Sequence, residues 1–332
     1  MDTVLVRISE FIQDQRLANQ WEPSTVKMMH TLRHHLARFG QAHDLSYFDA
    51  EGIDRFVAYL RRDAGLQEIS VRKNYKNLIW FLHWAVRKGY MPREQLLTNK
   101  QKFKIVQKPV IFLTREELLR VYNYKVPPTG TVVTLRDSDG KEYSKRITGS
   151  AAIGRARDLF CFCAFTSLRY SDMAKLCRTD IDQDYIYVTT QKTHDRLPID
   201  LNSYAKAILD KYSRCRFKGN RALPVMSNQE LNIYLKDLCE LCGICSPVRI
   251  VKYCNGLRVE EVFPKWKRIT SHCARKTFIC YALSIGIPPV VVMKWTGHSD
   301  YKSMKPYIDI ASDRKTAAMR LFDRMLAGEP PV

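Results

Sequence analysis

Apolar residues recur at helical spacing through the first hundred positions. Val26, Met29, Leu32, Leu36 and Phe39 fall at steps of three and four, after Ser24, which can cap the segment, and before Gly40, which ends it. Asp49 opens a second stretch with Ile53, Phe56, Val57 and Leu60. A third is expected from Ser70. At about 100° per residue, Val71, Tyr75, Leu78, Ile79, Leu82 and Val86 share one arc, and Arg72, Lys76, His83 and Arg87 share the adjoining one, with Lys73 nearby. One side of this helix reads as core. The stripe beside it is basic, which suits either contact with nucleic acid or a solvated face.

The pattern changes near residue 100. Lys100, Lys102, Lys104 and Lys108 form a basic linker before Pro109, and the domain boundary falls between Asn99 and Leu113. Thr114 to Glu117 then reads as a capping box ahead of Leu118, Leu119 and Val121. Three hairpins are predicted. Residues 131–135 and 141–147 flank Asp139-Gly140, residues 185–190 and 196–199 flank a polar turn, and residues 248–254 and 257–263 flank Asn255-Gly256. Helical stretches surround them at 156–164, 204–212, 229–242 and 271–283. The expected class is mainly α with small β-hairpins.

Composition narrows the function. The chain has 332 residues, 45 % of them hydrophobic, enough for two domains with their own cores. Lys and Arg (54) exceed Asp and Glu (34), a formal charge of +20 that points to a polyanionic partner, nucleic acid before membrane. The most apolar stretch, 279–293, is broken by Pro288-Pro289 and is too short to span a bilayer. Asp2, Arg7 and Glu10 stand where a signal peptide needs an apolar run, and the ten cysteines show no disulfide-like framework. A cytoplasmic protein is expected.

Four segments each offer a phosphate-directed group. Arg169 and Asp172 follow the apolar run 161–165 within Thr-Ser-Leu-Arg-Tyr-Ser-Asp. Lys192 lies on the turn of the second hairpin. His272 and Arg275, spaced i, i+3, sit in the first turn of a helix behind Thr270 and Ser271, where unpaired N–H groups favour an anion. His298 comes directly after Gly297, which stops a short helix begun at Pro288-Pro289, and Tyr307 follows nine residues later.

In this order the segments resemble the tyrosine recombinase (phage integrase-like) family, whose signature is Arg, Lys, His-x-x-Arg, His and a C-terminal tyrosine. The likeness is greatest to integrases and invertases of Bacteroides-type mobile elements. It implies a two-domain DNA clamp: a helical core-binding (SAM-like) domain over 1–100, a basic linker over 101–112, and a catalytic domain over 113–332. It implies Tyr307 as nucleophile toward a DNA phosphodiester, forming a 3′-phosphotyrosyl bond. Arg169, Arg275, His272 and His298 would surround the phosphate, Lys192 would protonate the leaving 5′ oxygen, and Asp172 would orient a catalytic His or Arg. DNA-binding residues would be Arg72, Lys73, Lys76 and Arg87. Neither metal, cofactor nor ATP is implied. The implied partners are double-stranded DNA with specific recombination sites, a homotetramer on that DNA, and accessory DNA-bending or directionality proteins. A tail helix at about 313–327, with Ala318, Leu321, Phe322, Met325 and Leu326 on one face, would be exchanged between protomers.

Other readings remain beside this one. The same chemistry serves type IB topoisomerases, which reseal without exchanging partners, and a recombinase-derived protein could bind DNA without activity. Cys239, Cys242 and Cys245 resemble a metal knuckle, but Cys239 and Cys242 continue the apolar stripe of Leu235 and Leu238, which favours core over zinc. The sequence starts almost directly with the core-binding helices, where many integrases carry an arm-binding domain first. The resemblance implies either a simpler recombinase working on core sites alone or a trimmed sequence, and the 131–147 hairpin is an insertion relative to the usual pattern.

Overall fold

The computed structural model describes residues 3–96, 101–137, 139–189, 196–298 and 300–311, with backbone alone at 196, 197, 310 and 311. They form two compact units, Met1–Lys108 with Arg249–Glu261, and Pro109–Val248 with Val262–Val332. No helix among the described residues is long and apolar enough to cross a membrane.

The first unit is built from α1 (Thr3–Ala18), α2 (Pro23–Phe39), α3 (Ala50–Arg62) and α4 (Glu68–Arg87). Phe11, Met29, Leu32, Phe48, Phe56, Leu60, Leu78 and Phe81 make its core. Two helix starts differ from the sequence expectation. Helix α2 begins at Pro23 rather than behind a Ser24 cap, because proline at the first turn loses no hydrogen bond by lacking its N–H. Helix α4 begins at Glu68, two residues before Ser70. The buried Glu68 carboxylate accepts from Arg61 Nε at 2.7 Å and Nη2 at 3.2 Å, which anchors this extra part of the first turn. The other ends are as read: Asp49 caps α3 by accepting from Gly52 N–H at 2.8 Å, and Gly40 closes α2 with φ of 66°. Within this unit, the turn of a later hairpin pairs Cys254 with Gln67 in an antiparallel bridge.

The second unit contains α5 (Arg115–Asn123), α6 (Ser150–Thr166), α7 (Tyr170–Met173), α8 (Ser203–Lys211), α9 (Asn228–Leu241), α10 (Ser271–Ser284), α11 (Pro289–Thr296) and α12 (Lys305–Ala311). Among the described residues the strands form three two-stranded hairpins: β1 (Val132–Arg136) with β2 (Glu142–Arg146) and β3 (Tyr185–Thr189) with β4 (Arg196–Asp200) in this unit, and β5 (Pro247–Cys254) with β6 (Leu257–Pro264), of which residues 249–261 belong to the first unit. In the first two the strands run antiparallel, Thr134 facing Ser144 and Tyr187 facing Pro198. Asn255 and Gly256 both take positive φ, 51° and 76°, as a two-residue hairpin turn demands. The capping box of α5 is complete: Glu117 N–H donates to Thr114 Oγ1, and Thr114 N–H to Glu117 Oε2.

Helix α6 is the axis of this unit. Every residue from Asp158 to Thr166 is buried, so this half of the helix keeps no solvent face, and α5, α8, α9 and α10 pack around it. Cys239 and Cys242 lie in the same core, where burial pushes both thiols up, Cys242 to about 12. The β1–β2 hairpin docks on α9: Tyr143 Oη donates to Glu240 Oε1 at 2.7 Å, and Lys145 Nζ donates to Asp237 Oδ1 at 2.6 Å and to Glu240.

Candidate active site

Helix α6 has to stop where its apolar run meets polar sequence, and it stops without a glycine. Ser167, fully buried, takes the left-handed conformation at φ of 63° instead. A non-glycine residue there carries about 1 kcal/mol or more of strain, so surrounding contacts must hold it. They do so through two bonds. Ser167 Oγ donates to Trp295 O at 3.0 Å, and Ser167 O accepts from Arg275 Nη1 at 3.0 Å. The turn places Arg169 at the N-cap of α7, facing the buried Asp172 carboxylate as an ion pair at 3.8 Å.

Arg275 comes from α10 and is 4 % exposed. Its Nη2 donates to Thr296 O, and the same nitrogen lies 3.4 Å from His298 Nε2. Two backbone carbonyls from separate segments therefore orient the guanidinium plane. Burial, and after it the like charge of Arg169, lower its pKa to about 9 against the opposing pull of Asp172 and Tyr307. It remains cationic at neutral pH.

His298 follows the end of α11. Gly297 takes φ of 60°, and His298 N–H donates back to Met293 O at 3.1 Å, the closure that left-handed glycine permits. His298 Nδ1 lies 2.6 Å from Thr296 Oγ1. Tyr307, from α12, is half-buried against the cluster of Ile279, Val292 and Met304. Desolvation raises its phenol above the usual value; Cys280 adds to this and Arg275 pulls the other way. A phenol so placed is protonated at neutral pH.

The first turn of α10 is arranged differently from the sequence expectation of unpaired N–H groups open to an anion. Ser271 N–H donates to Asn232 Oδ1 at 2.7 Å, and Ser271 Oγ to Asn228 Oδ1 at 2.7 Å. Asn232 of α9 thus takes up that N–H, and with Asn228 on the hydroxyl it pins the start of the helix. His272, one residue on, is exposed, whereas Arg275 is buried, although the two are spaced i, i+3. Sequence reasoning did not find Ser167, Thr296, Asn228 or Asn232. Only Ser167 left a trace, as a helix end with no glycine to supply positive φ.

Arg169, Asp172, Arg275, His298 and Tyr307 are thus placed in the second unit, with Arg169, Asp172 and Tyr307 all close enough to bear on the Arg275 charge. Lys192 and the 313–327 tail lie outside the described residues. In the first unit, Arg72, Lys73, Lys76 and Arg87 are all exposed along α4, beside the buried Val71, Leu78 and Leu82.

Residues 3–105 match the phage integrase SAM-like domain family. Over 156 residues the chain is 29 % identical to tyrosine recombinase XerD of Chlamydia trachomatis serovar D, covering 47 % of this chain and 48 % of that protein. The match thus spans about half the length of that relative. In three dimensions the chain is similar to a lambda integrase (75–356) dimer bound to a COC′ core site, with a TM-score of 0.65 and 15 % identity over 92 % of this chain and 95 % of that one. It is also similar to the Tn1549 transposon integrase (82–397) in complex with circular intermediate DNA, with a TM-score of 0.59 and 13 % identity over 91 % and 94 %. Residues 3–105 thus carry a phage integrase SAM-like domain, and the chain, mostly helical with small antiparallel hairpins, has the fold of lambda integrase and is similar in sequence to a tyrosine recombinase.

Proposed function

We propose that this chain is a site-specific DNA recombinase that cleaves and rejoins duplex DNA through a covalent 3′-phosphotyrosyl bond at Tyr307. The observation that carries the reading is the fixed guanidinium of Arg275, held by the carbonyls of Ser167 and Thr296 with Arg169, His298 and Tyr307 around it. A pentacoordinate phosphate gains negative charge on its non-bridging oxygens. Two guanidiniums already in place lower that barrier without reorganising at the moment of reaction. Asp172 steadies Arg169. Because burial keeps Tyr307 protonated, attack needs a proton acceptor, and His272 and His298 are the nearby choices in the family pattern. Lys192 is the acid for the leaving 5′ oxygen. The phosphotyrosyl bond keeps the energy for rejoining, so ATP is not needed. The basic stripe of α4, with Arg72, Lys73, Lys76 and Arg87, contacts DNA phosphates.

A nicked suicide substrate tests the chemistry. The unaltered chain should be trapped on DNA through a 3′ phosphate, and Tyr307→Phe should bind DNA without an adduct. An adduct persisting in that variant removes Tyr307 from the role. Plasmid products separate recombination from simple relaxation, which a topoisomerase would give.

The partners are DNA bearing specific recombination sites and further copies of this chain, four on a synapsed pair. A cavity of about 510 Å³ in the second unit, lined by Leu118, Phe165, Tyr204, Phe278, Tyr281 and Trp295, offers an apolar lining that supports a neighbour's 313–327 segment as its occupant. Truncation after Asp313 should spare binding to one site and abolish strand exchange. Exchange at the normal rate by the truncated chain rules this assembly out.

A further inference from the structure

Thr296 touches both Arg275 and His298. Its carbonyl accepts from Arg275 Nη2, and its hydroxyl lies between the helix backbone and the imidazole. It is fully buried, so no water competes for these bonds. Thr296 Oγ1 is 2.7 Å from Val292 O and 2.6 Å from His298 Nδ1, with Met293 O farther away at 3.3 Å.

One proton settles the arrangement. A hydroxyl has a single hydrogen to give, and a carbonyl oxygen can only accept. Two oxygens at 2.7 Å without a hydrogen between them repel, so the threonine proton belongs on the bond to Val292 O. Oγ1 is then left with lone pairs toward the imidazole. For a 2.6 Å contact to be attractive, His298 Nδ1 must carry a hydrogen and donate it. A neutral ring has one N–H, so Nε2 holds a lone pair. The other side of the ring agrees: Arg275 Nη2, 3.4 Å from Nε2, can only donate.

We propose that Thr296 is a positioning residue that fixes His298 as the Nδ1–H tautomer, presenting Nε2 to the phosphate site as a proton acceptor. The proposal rests on the reading of His298 as part of the recombinase site and goes beyond it by naming the atom, the tautomer and the residue that sets it. The Thr296 carbonyl ties the same residue to the Arg275 plane, so the two side chains are held in register by one peptide. A hydrogen bond from Nε2 to a phosphate oxygen then requires that a proton first arrive there.

Histidine-selective ¹⁵N labelling of the full chain reports the tautomer without DNA. Eight histidine signals are expected, with His298 identified by its loss in His298→Asn. The expected spectrum gives His298 a pyrrole-type Nδ1 and a pyridine-type Nε2. Thr296→Val keeps the shape but removes both hydroxyl bonds, and should shift the ring toward the Nε2–H form; Thr296→Ser should keep Nδ1–H. On the suicide substrate, Thr296→Val should lose about 10–100-fold in cleavage rate, the range seen when a histidine's orienting partner is removed, and Thr296→Ser should recover most of it. An Nε2–H ring in the unaltered chain overturns the proposal whatever the variants do. So does an unchanged Nδ1–H signal in Thr296→Val. Because the spectra need no DNA, a wrong tautomer leaves the Tyr307 reading standing, and absence of a Tyr307 adduct leaves the tautomer standing.

Discussion

Replacing each arginine of the site by lysine should separate two roles that look alike in sequence. Arg275→Lys keeps a positive charge but replaces a planar fork with one nitrogen on a flexible stem. In the native protein that fork bridges Ser167 O and Thr296 O, which belong to different segments and have no water to turn to. One ammonium cannot span both in the guanidinium plane, so at least one buried carbonyl loses its donor, at a cost of about 1–3 kcal/mol. For a unit of this size each kcal/mol lowers the melting temperature by about 2–4 °C, giving a fall of about 2–12 °C. Among the described residues Arg169 makes an ion pair at 3.8 Å, and its side chain keeps 20 % of its exposure, so Arg169→Lys should melt close to the unaltered chain. Cleavage should fall in both by about 10²–10³-fold, as when one pre-set donor to a transition-state oxygen is lost. Thermal melting beside single-turnover trapping on a nicked substrate reads both quantities. If Arg275→Lys melts with the unaltered protein, or Arg169→Lys falls as far, the carbonyl clamp does not hold the guanidinium.

Replacing Arg72, Lys76 and Arg87 together by glutamine should weaken DNA binding and flatten its salt dependence by roughly one unit of slope per lost phosphate contact; equal affinity at every salt concentration would leave the stripe a solvated face. Asp158→Asn bears on the core. Burial raises that carboxyl, but bonds from Lys211 at 2.5 Å, Tyr212 at 2.6 Å and Arg157 at 2.9 Å outweigh it, so its folded pKa lies below the ordinary aspartate value. Its stabilisation is therefore complete at neutral pH and is lost as pH falls below about 4. The variant should be less stable by about 1.5–3 kcal/mol in urea unfolding at pH 7, with a shallower loss of stability into acid. Parallel acid curves for the two proteins would count against the assignment.

Much of this protein is written locally. Apolar spacing along 26–39, 53–60 and 71–86, Gly40, the Thr114–Glu117 box and the Asn255-Gly256 turn each act through neighbours a few residues away, and each of these elements formed, with only the starts of α2 and α4 shifted by one or two residues. The candidate site residues were legible for a related reason: Arg169, Arg275, His298 and Tyr307, with the exposed His272, are chemically distinctive side chains in short motifs. What holds them was not legible. Arg275 is oriented by the carbonyls of Ser167, 108 residues away, and Thr296, 21 away. The donor at Ser271 is taken up by Asn232 from another helix. Every residue carries a carbonyl, so composition and spacing cannot mark the two that matter. Their positions are set by how α6, α10 and α11 close on one another, and that closure is decided by the burial of whole helices rather than by any local pattern.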